Sequence, residues 1–191
     1  MGKSRLEAFS DGVIAVVITI IVLELKTPRS ADLASLRELA GPFLAYVLSF
    51  VHIAIYWNNH HHMLHTVERV DGAILWANMH LLFWLSLVPF ATAWMAEHSF
   101  ATWPTALYGV ILVMSAIAYS VLQKAVIRLH GGKSFLAKAI GADLKGKASI
   151  ALYLAAIGLA FFQSWLSVLL FSVVAALWLV PDRRIVRAMD H

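Results

Sequence analysis

Four residues of the first apolar run stand in register to act together: Gly12, Val16, Thr19 and Leu23, spaced by four, three and four. On a helix that advances about 100° per residue they fall within about 60° of one another. The stripe therefore reads small, apolar, hydroxylated, apolar. If several copies of this helix met on a symmetry axis, Val16 and Leu23 would close apolar rings, with a ring of Thr19 oxygens between them. Apolar rings can shut a watery path by dewetting, and oxygens can replace part of a cation's hydration shell. The same residues also suit a heptad-like packing face, with Thr19 bonded back to its own helix carbonyl, and periodicity alone favours that plainer reading.

Ionisable groups sit at the mouth of this run. Arg5 lies one to two turns below the stripe and on its side, placed to decorate a vestibule or bind a headgroup. Asp11 points about 100° away from Gly12. Six residues apart, the two cannot pair along the helix, so Asp11 is expected to accept hydrogen bonds from another span or subunit, or to cap a local break. Charged groups at membrane depth are costly and face protein or water rather than lipid.

A second cluster lies at residues 58–65, NNHHHMLH. His61 and His65 stand four apart on one helical face, a spacing that suits two imidazoles on a metal. The segment has no carboxylate or thiolate and lacks the H-E-x-x-H glutamate, so the expectation is no metal. Instead His60 and His61 are expected to join Trp57, Asn59 and Asn78 in inter-helix hydrogen bonds near the cytoplasmic interface, with Arg5 or Asp11 docking there. His80 is read the same way.

The elements that must hold these groups are membrane helices. The 191 residues are 61% hydrophobic and 14% charged, with a mean hydropathy of +0.77, far from the balance of a soluble domain. Apolar runs place spans near 6–25, 42–63, 73–96, 102–124, 146–163 and 165–181. The last block, 148–180, would reach ~50 Å as one helix, too long for one crossing, so a hairpin turning at Gln163 and Ser164 is preferred to a single tilted helix. Pro89 is read as a kink in the third span and Pro104 as a helix opening. Trp94, Trp103, Trp165 and Trp178 fall near span ends as interfacial anchors. Residues 1–191 are expected to form one domain whose first span is retained rather than cleaved.

Charge placement gives the topology. With both termini cytoplasmic, twelve of the fifteen Lys and Arg fall on inner segments: Lys3, Arg5, Arg69, Lys124, Arg128, Lys133, Lys138, Lys145, Lys147, Arg183, Arg184 and Arg187. Only Lys26, Arg29 and Arg37 lie outside. The bias obeys the positive-inside rule and accounts for the basic balance without a nucleic-acid partner. Between the first two spans, Leu33, Leu36 and Leu39 mark a short amphipathic helix capped by Ser30 or Asp32, lying on the outer surface where a neighbouring subunit could meet it. The connector 129–146 should lie against anionic headgroups. The absence of cysteine excludes disulfides and thiol chemistry.

Arg5, Phe9, Ser10 and Asp11 spell R-x-x-x-F-S-D at the opening of an apolar helix. This resembles the first span of the transmembrane protein 175 family, endosomal and lysosomal potassium channels with bacterial and archaeal relatives. Tyr56-Trp57, Asn59-His60-His61, Leu75-Trp76, Asn78 and Pro89-Phe90 continue the likeness along the chain. The resemblance implies an all-α membrane protein of six transmembrane helices per subunit, with the first helix lining the central pore of a homotetramer. It implies a passive, potassium-preferring channel of the inner (plasma) membrane, with no enzymatic activity and no cofactor. By the same resemblance Val16 matches the family's narrow apolar ring, where relatives usually carry a larger Leu or Ile, and Thr19 matches the hydroxyl ring linked to potassium preference. Gly12 and Leu23 join the lining by helical geometry. No T-V-G-Y-G filter is present, so selectivity is expected to be modest. The competing readings are a proton-coupled transporter or proton leak using Asp11, Glu24 and the histidines, a metalloenzyme on the 60–65 cluster, and a purely structural membrane protein.

Overall fold

The first apolar run folds as α1, Lys3–Leu23, and buries Leu6, Ser10, Ile14, Val17 and Ile21. Their spacing of four, four, three and four is one helical face. In this computed structural model the described residues are 2–28, 30–131, 136–137 and 143–179. Arg29, Lys133, Lys138, Arg183, Arg184 and Arg187 of the charge map, with half of the 129–146 connector, lie outside them.

After α1 come a 3-10 helix, Leu33–Leu39, then α2, Ala40–His65; α3, Gly72–Ser86; α4, Val88–Glu97; and α5, Thr102–His130. The chain continues with α6, Leu144–Ala160, and α7, Ser164–Leu179. Since α3 and α4 continue one another across Leu87, the described residues make six helical rods. Four stretches are long and apolar enough to cross a bilayer: Lys3–Leu23, Leu33–His65, Gly72–Glu97 and Thr102–His130. The protein is thus an all-α, multi-pass membrane protein.

The third run breaks where proline chemistry requires, but not at the proline itself. Pro89 occupies the first turn of α4, where its missing N–H would have had no intrahelical partner. The break accordingly falls two residues earlier, at Leu87. The fourth run extends beyond its expected end to His130, because Val126 is still buried there, and stops at Gly131 with φ +87°. Leu33, Leu36 and Leu39 sit on a 3-10 rather than an α helix; at three residues per turn they eclipse on one face. Asp32 caps that helix by accepting from the Ser35 amide at 2.9 Å, and this bond holds its carboxyl below its ordinary pKa. Leu33 and Leu36 stay exposed on this protomer.

The last block is a hairpin, turning at Phe161–Gln163. Its arms run antiparallel: Ser167 Oγ donates to Ala156 O at 2.7 Å and Trp178 Nε1 donates to Ser149 Oγ at 2.8 Å. Trp178 also lies 4.4 Å beneath the Lys145 ammonium, so it is folded onto α6 rather than serving only as an anchor. At ~1.5 Å per residue the arms reach only ~25 Å, short of a ~30 Å hydrocarbon core. Neither arm is therefore among the four stretches long and apolar enough to cross a bilayer.

Two layers result. α1 packs against α2, α3 and α4, while α5 backs α3 and α4 and carries the α6–α7 hairpin. Gly109 lets α5 approach that hairpin closely, since a Cβ there would stand 2.7 Å from Ile157 Cγ1 and 3.1 Å from the Phe171 ring. Between α4 and α5 the chain turns through Ser99 and Phe100 at φ +51° and +59°. Phe100 holds this turn, buried with its ring 4.8 Å from that of Trp165 and its amide bonded to Met95 O.

Candidate functional site: the uncovered face of the first helix and its footing

α1 has one buried and one open face. Its buried positions centre about 150° around the helix from the stripe Gly12, Val16, Thr19 and Leu23. All four stripe residues are exposed, Val16 by 56% and Leu23 by 78%. These are large apolar side chains that the protomer leaves uncovered. Gly12 sharpens the point: nothing lies within 4 Å of where its Cβ would be. A mid-helix glycine costs roughly 1 kcal/mol relative to alanine, and no contact within this protomer requires it. Arg5 is also exposed and on the same side, about 10 Å below Gly12 by helical rise.

Thr19 Oγ1 donates to Val16 O at 2.9 Å. Its single proton is thereby used within the helix, and the oxygen presents lone pairs outward.

The buried side of the same helix is footed on a polar cluster. Ser10 donates to Leu6 O at 2.8 Å and accepts from Asn78 Nδ2 at 3.0 Å. Asn78 Oδ1 in turn lies 2.7 Å from His60 Nε2. Because that amide oxygen only accepts, His60 Nε2 carries the proton. Ser10, His60 and Asn78 are all fully buried, so α1, α2 and α3 are joined by a satisfied chain of polar groups. One residue along, Asp11 Oδ1 accepts from Trp57 Nε1 at 2.9 Å at the edge of this cluster. Lys3 Nζ reaches His65 O at 2.9 Å and completes the fastening of the helix's first half to α2.

Not every polar side chain of the region joins. Asn59 Nδ2 turns back to Ile55 O at 2.8 Å, and its contribution across helices is through its carbonyl, which accepts from Tyr119 OH at 3.2 Å. His61 packs rather than bonds, stacking on Trp57 with centroids 5.9 Å apart and meeting the rings of His62 and His65 edge-on. His80 accepts from Trp84 on its own helix at 2.9 Å. Phe9 is 45% exposed beside the cluster. Among the described residues no three His, Asp or Glu converge as a metal site. Lys3 and Tyr119 were not foreseen. A lysine at the start of a helix and a tyrosine inside an apolar run carry no signal of which carbonyl they will reach.

The far end of α1 has a separate tie, Lys26 Nζ to Glu97 Oε1 at the end of α4. The open stripe lies between the two fastenings.

Comparison with known proteins gives a consistent family. Residues 5–89, which span both the stripe and the polar cluster, match the family described as endosomal/lysosomal potassium channel TMEM175. A potassium channel of Chryseobacterium sp. (strain P1-3) is 50% identical over 191 residues, all of both chains. A potassium channel of Chamaesiphon minutus is 36% identical over 176 residues, 86% of this chain and 87% of that one. The crystal structure of a lysosomal potassium-selective channel TMEM175 homolog from Chamaesiphon minutus superposes with a TM-score of 0.82 at 34% identity, covering 94% of this chain and 97% of that one.

Proposed function

The chain belongs to the TMEM175 potassium-channel family, and from that premise we propose that it is a potassium-selective channel whose pore is walled by α1 from four identical subunits. Residues 1–191 act as one channel domain in the plasma membrane, with both termini in the cytoplasm. Potassium moves passively down its gradient, and no reaction is catalysed.

The observation that carries the pore assignment is the exposure of Gly12, Val16, Thr19 and Leu23 on the side of α1 opposite its packed face. A shared axis would supply both a conduit and the cover for that stripe. Val16 and Leu23 then form the apolar constrictions, with Gly12 leaving width on the cytoplasmic side. Thr19, its proton already given to Val16 O, offers a ring of acceptors suited to a partly dehydrated cation. The R-x-x-x-F-S-D residues act from behind. Ser10 and Asp11 fix the helix's rotation, and so fix which residues face the axis.

The proton-relay alternative has less support in the described residues. Asp11, on α1, and Glu24, just past its end, are thirteen residues apart, ~20 Å by helical rise, and Asp11 is engaged by an indole. The test is ion flux from proteoliposomes. Wild-type protein passes potassium in preference to sodium, and Thr19→Val lowers that preference with the fold intact. Unchanged selectivity in Thr19→Val would remove the hydroxyl ring from the mechanism.

A further inference from the structure

Away from α1, on the flank where α3 meets α5, an open groove of about 460 Å³ has a pattern that the pore does not use. Its floor is small and apolar, with Ala73 and Ala77 on α3 and Ala125 on α5. One rim carries Trp76 and His80, the other Lys124 and Arg128. The two cations stand four apart, on adjacent turns of one helix face, where like charges disfavour each other. Both are exposed, and among the described residues neither forms an ion pair. The negative end of α5 favours a cation in its last turn and the inward bias of positive charge favours both, but neither accounts for the groove beside them.

Depth identifies the counter-charge. By helical rise, Trp76 and His80 lie about 6 and 12 Å in from the start of α3, and Arg128 and Lys124 about 3 and 9 Å in from the end of α5. These helix ends lie at the same side of the bundle, so the charges sit near the boundary between headgroups and acyl chains. Trp76 is 78% exposed, as an indole at headgroup depth commonly is. Since His80 Nε2 accepts from Trp84 Nε1, the neutral ring carries its proton on Nδ1 and is a donor there. The groove thus combines two fixed cations, a donor imidazole and an alanine-lined trough. A free phosphate would use the first two and have no use for the third.

We propose that the α3–α5 groove seats an anionic membrane phospholipid, its phosphate on Lys124 and Arg128 and the upper part of an acyl chain on the alanine floor. The site lies behind the pore helix, on the helices that position it, and would couple leaflet composition to channel stability.

The experiment is native mass spectrometry of the full-length protein released from vesicles of mixed phosphatidylglycerol and phosphatidylcholine. Wild-type protein should retain phosphatidylglycerol preferentially, with no displacement by inorganic phosphate. Surface cations near a bilayer contribute roughly fivefold each to such binding, so Lys124→Gln with Arg128→Gln should weaken retention roughly thirtyfold. Arg37→Gln, at the other end of the molecule, should leave it unchanged. Thermal melting in phosphatidylcholine alone checks that the double variant folds as well as wild type. Equal retention of the two lipids by wild type, undiminished retention by the double variant, or displacement by inorganic phosphate would overturn the proposal. So would a change in subunit stoichiometry with no change in bound lipid, which would assign the groove to a second copy of the chain.

Discussion

Asn78 serves two partners at once, donating a hydrogen bond to Ser10 Oγ and accepting one from the His60 ring nitrogen, with all three side chains closed off from solvent. Truncating it leaves a buried donor and a buried acceptor unmet, and each such group costs about 1–3 kcal/mol. Asn78→Ala should therefore lower the melting temperature markedly, by roughly 2–4 kcal/mol of stability. A melting curve that matches wild type would mean that water fills the gap. Val16 gives the opposite expectation, because its side chain touches little of its own protomer. Val16→Leu should leave melting unchanged and reduce potassium conductance by narrowing the ring, as single-channel recording would show. At this scale the sequence was informative about types and poor about partners. An Asn and a His inside apolar spans must be satisfied, which singled out Asn78 and His60. Asn59 and His61 obey the same rule, yet one closes on its own helix and the other stacks on Trp57, and residue type does not distinguish these outcomes.

Helix existence was legible because spans of this length follow from the thickness of a bilayer, and the hairpin followed from the excess length of 148–180. Helix faces were harder to read. α1 is apolar nearly all round, so its packed side, centred on Ile14 and Val17, and its open side, centred on Val16 and Thr19, look alike in hydropathy. Only the motif at Ser10 and Asp11 distinguished them. The gap between the runs 73–96 and 102–124 located the turn between α4 and α5, but its backbone left no sequence signal, because Ser99 and Phe100 adopt positive φ without glycine. Non-glycine residues in that region cost about 1–2 kcal/mol each, so Ser99→Gly should raise stability by roughly 0.5–1 kcal/mol after the loss of chain entropy. Gly109 is the converse case, where the backbone itself is the contact. Gly109→Ala should destabilise by about 1–3 kcal/mol through the clash with Ile157 and Phe171. Chemical or thermal denaturation of the two variants checks both signs.

For the whole molecule, the decisive measurement is mass in a mild detergent or nanodisc. A tetramer is expected, and a stable monomer able to conduct would contradict the shared-axis pore. The layers already suggest how such an assembly divides its labour. α5 to α7 form the rear, α2 to α4 form the support, and α1 stands at the front, held near its start by Lys3, Ser10 and Asp11 and at its far end by Lys26. Between those attachments, the stripe from Gly12 to Leu23 contributes almost nothing to the integrity of its own subunit. On the proposed pore assignment, these four positions can be changed nearly independently of foldability. If that assignment holds, a library randomised at 12, 16, 19 and 23 should yield well-expressed proteins differing mainly in what they let through.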